Sequence, residues 1–101
     1  MTIIEIYLPM NANDGTLFSP ALFDEIERQL TEKFGGVTAH RRAPAHGRWK
    51  STGQTHADQV AIFEVMVDAP DREWWTRYRS ELEALLSQEK ILITAREIEI
   101  L

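Results

Sequence analysis

Val60-Ala61-Ile62-Phe63-Glu64-Val65-Met66-Val67 is the stretch that decides the fold. It is rich in β-branched and aromatic side chains and carries one charge, which reads as a strand. A near-continuous apolar run implies burial on both faces, so this strand is expected at the centre of its sheet. Working back towards the N-terminus, Ala43 to Ala57 is rich in Gly, Ser, Thr and Pro and reads as a long hairpin connection, with room for a short strand near Trp49. Before it, Val37 to Arg42 reads as a shorter and more polar strand. Working forward, Asp68 is a candidate helix cap, with Pro70 in the first turn and Asp71 and Glu73 near the positive helix end. The helix that follows has Trp75, Tyr78, Leu82, Leu85 and Leu86 as its apolar stripe, with Trp74 at the margin.

The two ends complete the pattern. Ile3, Ile4, Ile6, Tyr7 and Leu8 form a first strand, stopped by Pro9 and the turn-rich Asn11–Gly15 segment. A helix then opens on Ser19 as N-cap and Pro20 at its first position, and Leu22, Phe23, Ile26, Leu30 and Phe34 recur at helical spacing. Gly35-Gly36 supplies the left-handed stop. Ile91 begins a last strand, in which Ile91, Ile93 and Ala95 share one parity and Ile98 and Ile100 the other. A bulge near Arg96 or a separate terminal segment accounts for that slip. Strand, helix, strand, strand, helix, strand is most economically an α+β ferredoxin-like βαββαβ sandwich: a four-stranded antiparallel sheet with both helices on one face. At 101 residues, the chain reads as a single ferredoxin-like domain over 1–101.

Strand parity then assigns faces. Ile4, Ile6, Leu8, Ala61, Phe63, Val65, Val67, Ile91, Ile93 and Ala95 are expected under the helices. The opposite face receives Ile3, Glu5, Tyr7, Thr38, His40, Arg42, Ile62, Glu64, Met66, Leu92 and Arg96. Ile3, Ile62, Met66 and Leu92 are too apolar for a solvated face, so something should cover them. A second copy of the chain, giving a homodimer through the open sheet face, is the economical cover; the Ala43–Ala57 segment folding back with Trp49 is the rival.

Charge singles out one region. From Lys33 to Ala57 there is no Asp or Glu, and the stretch holds Arg41, Arg42, Arg48, Lys50 and all three histidines, His40, His46 and His56. It is where an anionic ligand or a regulatory proton would be felt. The net charge of −5 argues against a nucleic-acid binder. The chain has no cysteine, no basic leader and no run approaching the ~20 apolar residues of a membrane span, which together read as a cytoplasmic protein without a membrane segment. Histidine spacing matches no metal motif, Gly35-Gly36 follows a helix rather than preceding one, and neither a metal nor a cofactor is expected.

Three functional readings follow from these residues. The first is a small polar or anionic ligand bound between the open sheet face and the 43–57 segment, using Arg42, Arg96, Tyr7 and Trp49. The second is a cofactor-independent enzyme of monooxygenase or isomerase type, with Glu64 as base, Glu5 or His40 as its proton partner and Tyr7 orienting the substrate. The third is a structural or protein-interaction module in which the face serves only as an interface. Competing with all three is an internal or solvated use of the Arg41–Lys50 cations, because the acid-rich segments Asp24–Glu32 and Asp71–Glu83 need opposite charge.

Phe34-Gly35-Gly36-Val37-Thr38, Gly47-Arg48-Trp49 and Gln88-Glu89-Lys90-Ile91-Leu92 together resemble a group of small bacterial proteins without an established activity. The resemblance spans roughly 17–95 and implies a ferredoxin-like fold without carrying any catalytic residue across. At the level of fold the chain is also similar to dimeric α/β-barrel proteins, which include cofactor-free monooxygenases, isomerases, stress proteins and ligand sensors.

Overall fold

The computed structural model describes the backbone of residues 1–51 and 54–101, and the side chains of 1–41, 48 and 59–101. Its elements run β1 (Thr2–Pro9), α1 (Pro20–Phe34), β2 (Thr38–Ser51), β3 (Gln54–Val67), α2 (Arg72–Leu85) and β4 (Leu92–Glu97). The strands form one antiparallel sheet in the order β2-β3-β1-β4, an α+β ferredoxin-like fold with β1 and β3 at the centre.

The core is the product of period-two strands meeting 3.6-period helices. Ile4, Ile6 and Leu8 from β1, Ala61, Phe63 and Val65 from β3, and Ile91 just ahead of β4 are buried. They pack with Phe23, Ile26 and Leu30 of α1 and Trp75, Tyr78 and Leu82 of α2. Phe34 stacks on Trp75 at 5.3 Å between ring centroids, and Trp74 lies over Tyr78 at 4.8 Å. Trp74 is therefore half-buried in an aromatic cluster joining the ends of the two helices. Tyr78 donates its hydroxyl hydrogen to Gln29 Oε1 at 2.9 Å, which satisfies the polar tip of a buried ring.

The caps follow the local chemistry, with one exception. Ser19 accepts from the Ala21 N–H with Pro20 at the first helical position, and Gly35 closes α1 at φ +80°, a conformation that favours glycine. The cap of α2 is Asp71, which accepts from the Trp74 N–H, rather than Asp68. Pro70 consequently precedes the helix, and its missing N–H costs the helix nothing.

Three further expectations are corrected. The Ala43–Ala57 connection is not a loop: β2 and β3 continue as a paired ribbon to Ser51↔Gln54, with a register shift between His40 and Ala45. Gly, Ser and Thr there mark a polar ribbon, not an interruption of pairing. The parity slip at the C-terminus involves no bulge, since β1 and β4 keep one register to Thr2↔Glu97. A separate segment follows, held by the Ile98 N–H donating to the Met1 carbonyl at 2.9 Å. Finally, Ala95 is exposed because β4 is an edge strand and only Ile91 is fully covered by α2. Among the described residues no helix is long and apolar enough to cross a membrane.

Burial pushes the Tyr78 phenol up to about 12, with the nearby Glu81 and Glu25 charges adding to the effect. The folded state then holds the Tyr78 proton at pH values where the unfolded chain, near 10, has released it, so stability falls as pH rises from about 10 to 12. Unfolding midpoints in urea across this window should drop for the wild type and drop less for Tyr78→Phe. Parallel curves would show that Tyr78 ionisation is not the source.

Candidate functional site

β1 and β3 pair so that Glu5 stands directly opposite Glu64. Thr38 flanks Glu64 on β2 and Thr94 flanks Glu5 on β4, so one polar row crosses the whole sheet on the side away from the helices. Opposed carboxylates on adjacent strands repel. The flanking strands answer diagonally. Arg96 Nε donates to Glu5 Oε1 at 3.2 Å, and His40 Nε2 lies 2.6 Å from Glu64 Oε1. Tyr7 adds a longer O–H donation of 3.4 Å to Glu5 Oε2.

The carboxylates are the least solvated members of this row. Glu5 and Glu64 side chains are 18% and 22% exposed, against 60% for Arg96 and 51% for His40. Ile3, Ile62 and Tyr7 are half-buried around them, while Met66 and Leu92 stand 57% and 52% exposed. Beside Glu64, the face dips into a depression of about 520 Å³ between Ile3 and Met66 on one side and the Phe34–Val37 turn on the other. Gly35 and Gly36 form part of this wall, and a Cβ at either would meet nothing within 4 Å, so it is the φ of +80° at Gly35, not close packing, that calls for glycine here.

Of the residues singled out from sequence, Glu5, Glu64, His40, Tyr7 and Arg96 are thus brought together on one face. The side chains of Arg42 and Trp49 lie outside the described residues. The described depression sits at the Gly35–Gly36 end of β3, not against the 43–57 segment, whose described residues, 43–51 and 54–57, lie in β2 and β3. Gly35-Gly36 was legible as a helix stop, but its second use as the wall of a depression depends on the crossover geometry that returns β2 beside β3.

Arg41, one residue from His40, points to the other side of the sheet. Its guanidinium bonds Asp24 at 2.7 Å, Glu27 at 3.0 Å and the Pro20 carbonyl at 3.0 Å, and the two carboxylates, Asp24 foremost, push its pKa up further. The internal use of that cation by the acid-rich first helix is therefore the observed one. Among the described residues no group of three or more His, Asp or Glu side chains could hold a metal ion.

Solved structures share the fold. The PII-like protein CutA from Nostoc sp. PCC 7120 superposes with a TM-score of 0.67 at 19% identity, over 98% of this chain and 82% of that one. The divalent cation tolerance protein of Thermus thermophilus gives 0.65 at 17% identity, over 97% and 84%. A phage SAM lyase in its apo state gives 0.65 at 14% identity, over 95% and 79%. At these identities the likeness is one of fold. No protein-family model matches the chain, and no curated protein does either.

The arrangement makes Arg96 and Glu5 energetically dependent on one another. Arg96→Ala should destabilise the protein by about 1 kcal/mol, and Glu5→Gln in the same background should recover part of the loss by removing one of the opposed charges. A double-mutant cycle measured by urea unfolding checks this. Strict additivity would mean that the 3.2 Å contact contributes no coupling.

Proposed function

We propose that this protein is a small-ligand-binding module whose open sheet face receives a polar, donor-rich molecule, with a second copy of the chain closing over the ligand. The observation that carries the reading is the pair of poorly solvated carboxylates, Glu5 and Glu64, opposed across the central strands beside a 520 Å³ depression with partly apolar walls. Such a depression with a few convergent polar groups is the usual form of a small-molecule site. Among the described residues on this face, the Arg96 guanidinium and the His40 imidazole already lie against the carboxylates. A ligand that brings its own N–H donors gains more here than an anion, which refines the sequence-based expectation of a polar or anionic ligand towards the polar one. The exposed Met66 and Leu92 and the half-buried Ile3 and Ile62 supply apolar surface that a second copy would cover. At the level of fold there is a precedent for small-molecule binding: a phage SAM lyase has been solved in complex with S-methyl-5′-thioadenosine, with a TM-score of 0.61 at 12% identity to this chain.

Benzamidine and benzoate form a matched pair of probes, similar in size and opposite in charge. In heteronuclear NMR titrations benzamidine should move the amides of Ile3, Glu5, Glu64 and Met66, and benzoate should bind at least about tenfold more weakly. Glu64→Gln should remove the preference while leaving the spectrum folded. Preferential benzoate binding, or shifts confined to the helices, would refute the placement.

A second reading, proton transfer without a cofactor, is favoured by one observation, the 2.6 Å contact between His40 Nε2 and Glu64 Oε1. A carboxylate and an imidazole within hydrogen-bond reach can take and relay a proton, and general-base catalysis of this kind supplies ~10²–10⁴-fold in rate. In this reading Glu64 is the base, His40 the relay and Glu5 the charge whose pairing with Arg96 keeps the row balanced. Elimination of the carbon-acid probe 5-nitrobenzisoxazole should be faster with wild-type protein than with Glu64→Gln. Equal rates would remove Glu64 from any such chemistry.

A further inference from the structure

A larger depression, of about 980 Å³, lies on the helix side, where α1 and the connection before it meet the edge of β2. Met10, Phe18, Phe23 and Ala39 line it, and Leu17 stands at its lip with 66% of its surface exposed. The aliphatic and aromatic floor runs beside a strand with an unused edge. In the order β2-β3-β1-β4, β2 pairs with β3 on one side and with no described strand on the other. An edge strand presents a row of unpaired backbone N–H and C=O groups, a template for another strand.

The charge around the groove is also one-sided. Among the described residues, Asp24 and Glu27 share a single cation, Arg41, so two carboxylates answer one guanidinium. Asp24 is the outer of the two, its side chain 69% exposed, and one of its oxygens carries the described bonds. A Lys or Arg arriving along the groove would meet that carboxylate first. The protein as a whole, at −5, adds to the attraction.

From this juxtaposition we propose that the groove docks an extended, basic segment of a partner protein, added as a fifth strand along the free edge of β2 at Thr38–Arg41. Strand addition draws affinity from main-chain hydrogen bonds and selectivity from the pockets that alternate side chains enter. One groove-facing side chain of the segment is apolar and rests on Leu17 and Phe18. The side chain two residues along is Lys or Arg and reaches Asp24. The docked stretch lies before the register shift between His40 and Ala45, so it is short, about four residues or ~13 Å of extended chain. The groove lies on the helix side of the sheet and meets the open-face site only at the shared β2 edge, Thr38 and His40, so shifts at Leu17–Asp24 distinguish it from the ligand site.

The probes are acetyl-Thr-Lys-Thr-Val-Thr-Lys-Thr-amide and its counterpart with Glu in place of Lys. On titration into the labelled full chain, the Lys peptide should shift the amides of Thr38–Arg41 and Leu17–Asp24 saturably and bind at least about tenfold more tightly than the Glu peptide. Leu17→Ser should weaken binding about tenfold with an unchanged melting curve, since the side chain it replaces is exposed, and Asp24→Asn should narrow the preference for Lys. Equal binding of the two peptides, no saturation at millimolar concentration, shifts confined to the open face, or protection of the Thr38–Arg41 amides by a second copy in the peptide-free protein would each overturn the proposal.

Discussion

The register of β1 against β3 is the constraint on which the rest of this structure depends. Eight residue pairs, from Thr2↔Val67 to Pro9↔Val60, place Ile4, Ile6 and Leu8 beside Val65, Phe63 and Ala61, all of them buried. A strand has a period of two, so a slip of one residue would turn either set towards solvent and bring the alternate set under the helices. Full burial of a single Leu, Ile or Phe stabilises by about 1.5–3 kcal/mol, so such a slip would cost far more than any one surface interaction could recover. The same register places Glu5 opposite Glu64. The carboxylate pair cannot be relieved by sliding the strands and has to be answered by the neighbours. Arg96 and His40 give that answer from the two edge strands, and the polar row is in this sense a consequence of how the core is paired.

That logic also separates what the sequence made legible from what it did not. The Val60–Val67 run, the apolar stripes of both helices apart from the exposed Leu85, the Ser19-Pro20 start and the Gly35 stop depend on interactions within one element, and each can be read from neighbouring letters. The facing of Glu5 and Glu64 followed because parity is local once the strands are recognised. The cap of α2 was misplaced by three residues because Asp68 and Asp71 are chemically equivalent candidates around Pro70, and only the point at which the backbone becomes helical chooses between them. The 43–57 segment was misread because Gly, Ser, Thr and Pro are turn formers in general but are tolerated in a ribbon whose pairing is supplied from across the hairpin. Propensity is weakest where the partner strand decides.

The acid-free stretch from Lys33 onward shows a different limit. In the linear chain it reads as one basic region. In three dimensions Lys33, His40 and Arg41 disperse: Lys33 lies over the Trp74 ring at 5.3 Å, Arg41 joins β2 to α1, and His40 meets Glu64 on the opposite face. A charge run on a strand cannot form one patch, because successive side chains leave from opposite sides. The helix-side cation is engaged internally, as the excess of acids on α1 requires, and the open face receives the imidazole. Composition located the titrating groups, and parity distributed them.

His40 and Arg41 therefore define the boundary between two distinct surfaces. They are adjacent in sequence, lie on the same edge strand, and each answers carboxylates: His40 that of Glu64 on β3, Arg41 those of Asp24 and Glu27 on α1. Each contact ties β2 to a different layer, one to the sheet and the other to the helices. Just beyond them the pairing with β3 shifts register and then resumes at Ala45↔Val60, running on to Ser51↔Gln54. A β-bulge bends a strand and re-aims the side chains next to it. Among the described side chains of β2, His40 and Arg41 are thus the last adjacent pair before the shift, and their facing is dictated by the register that buries the core residues of β1 and β3.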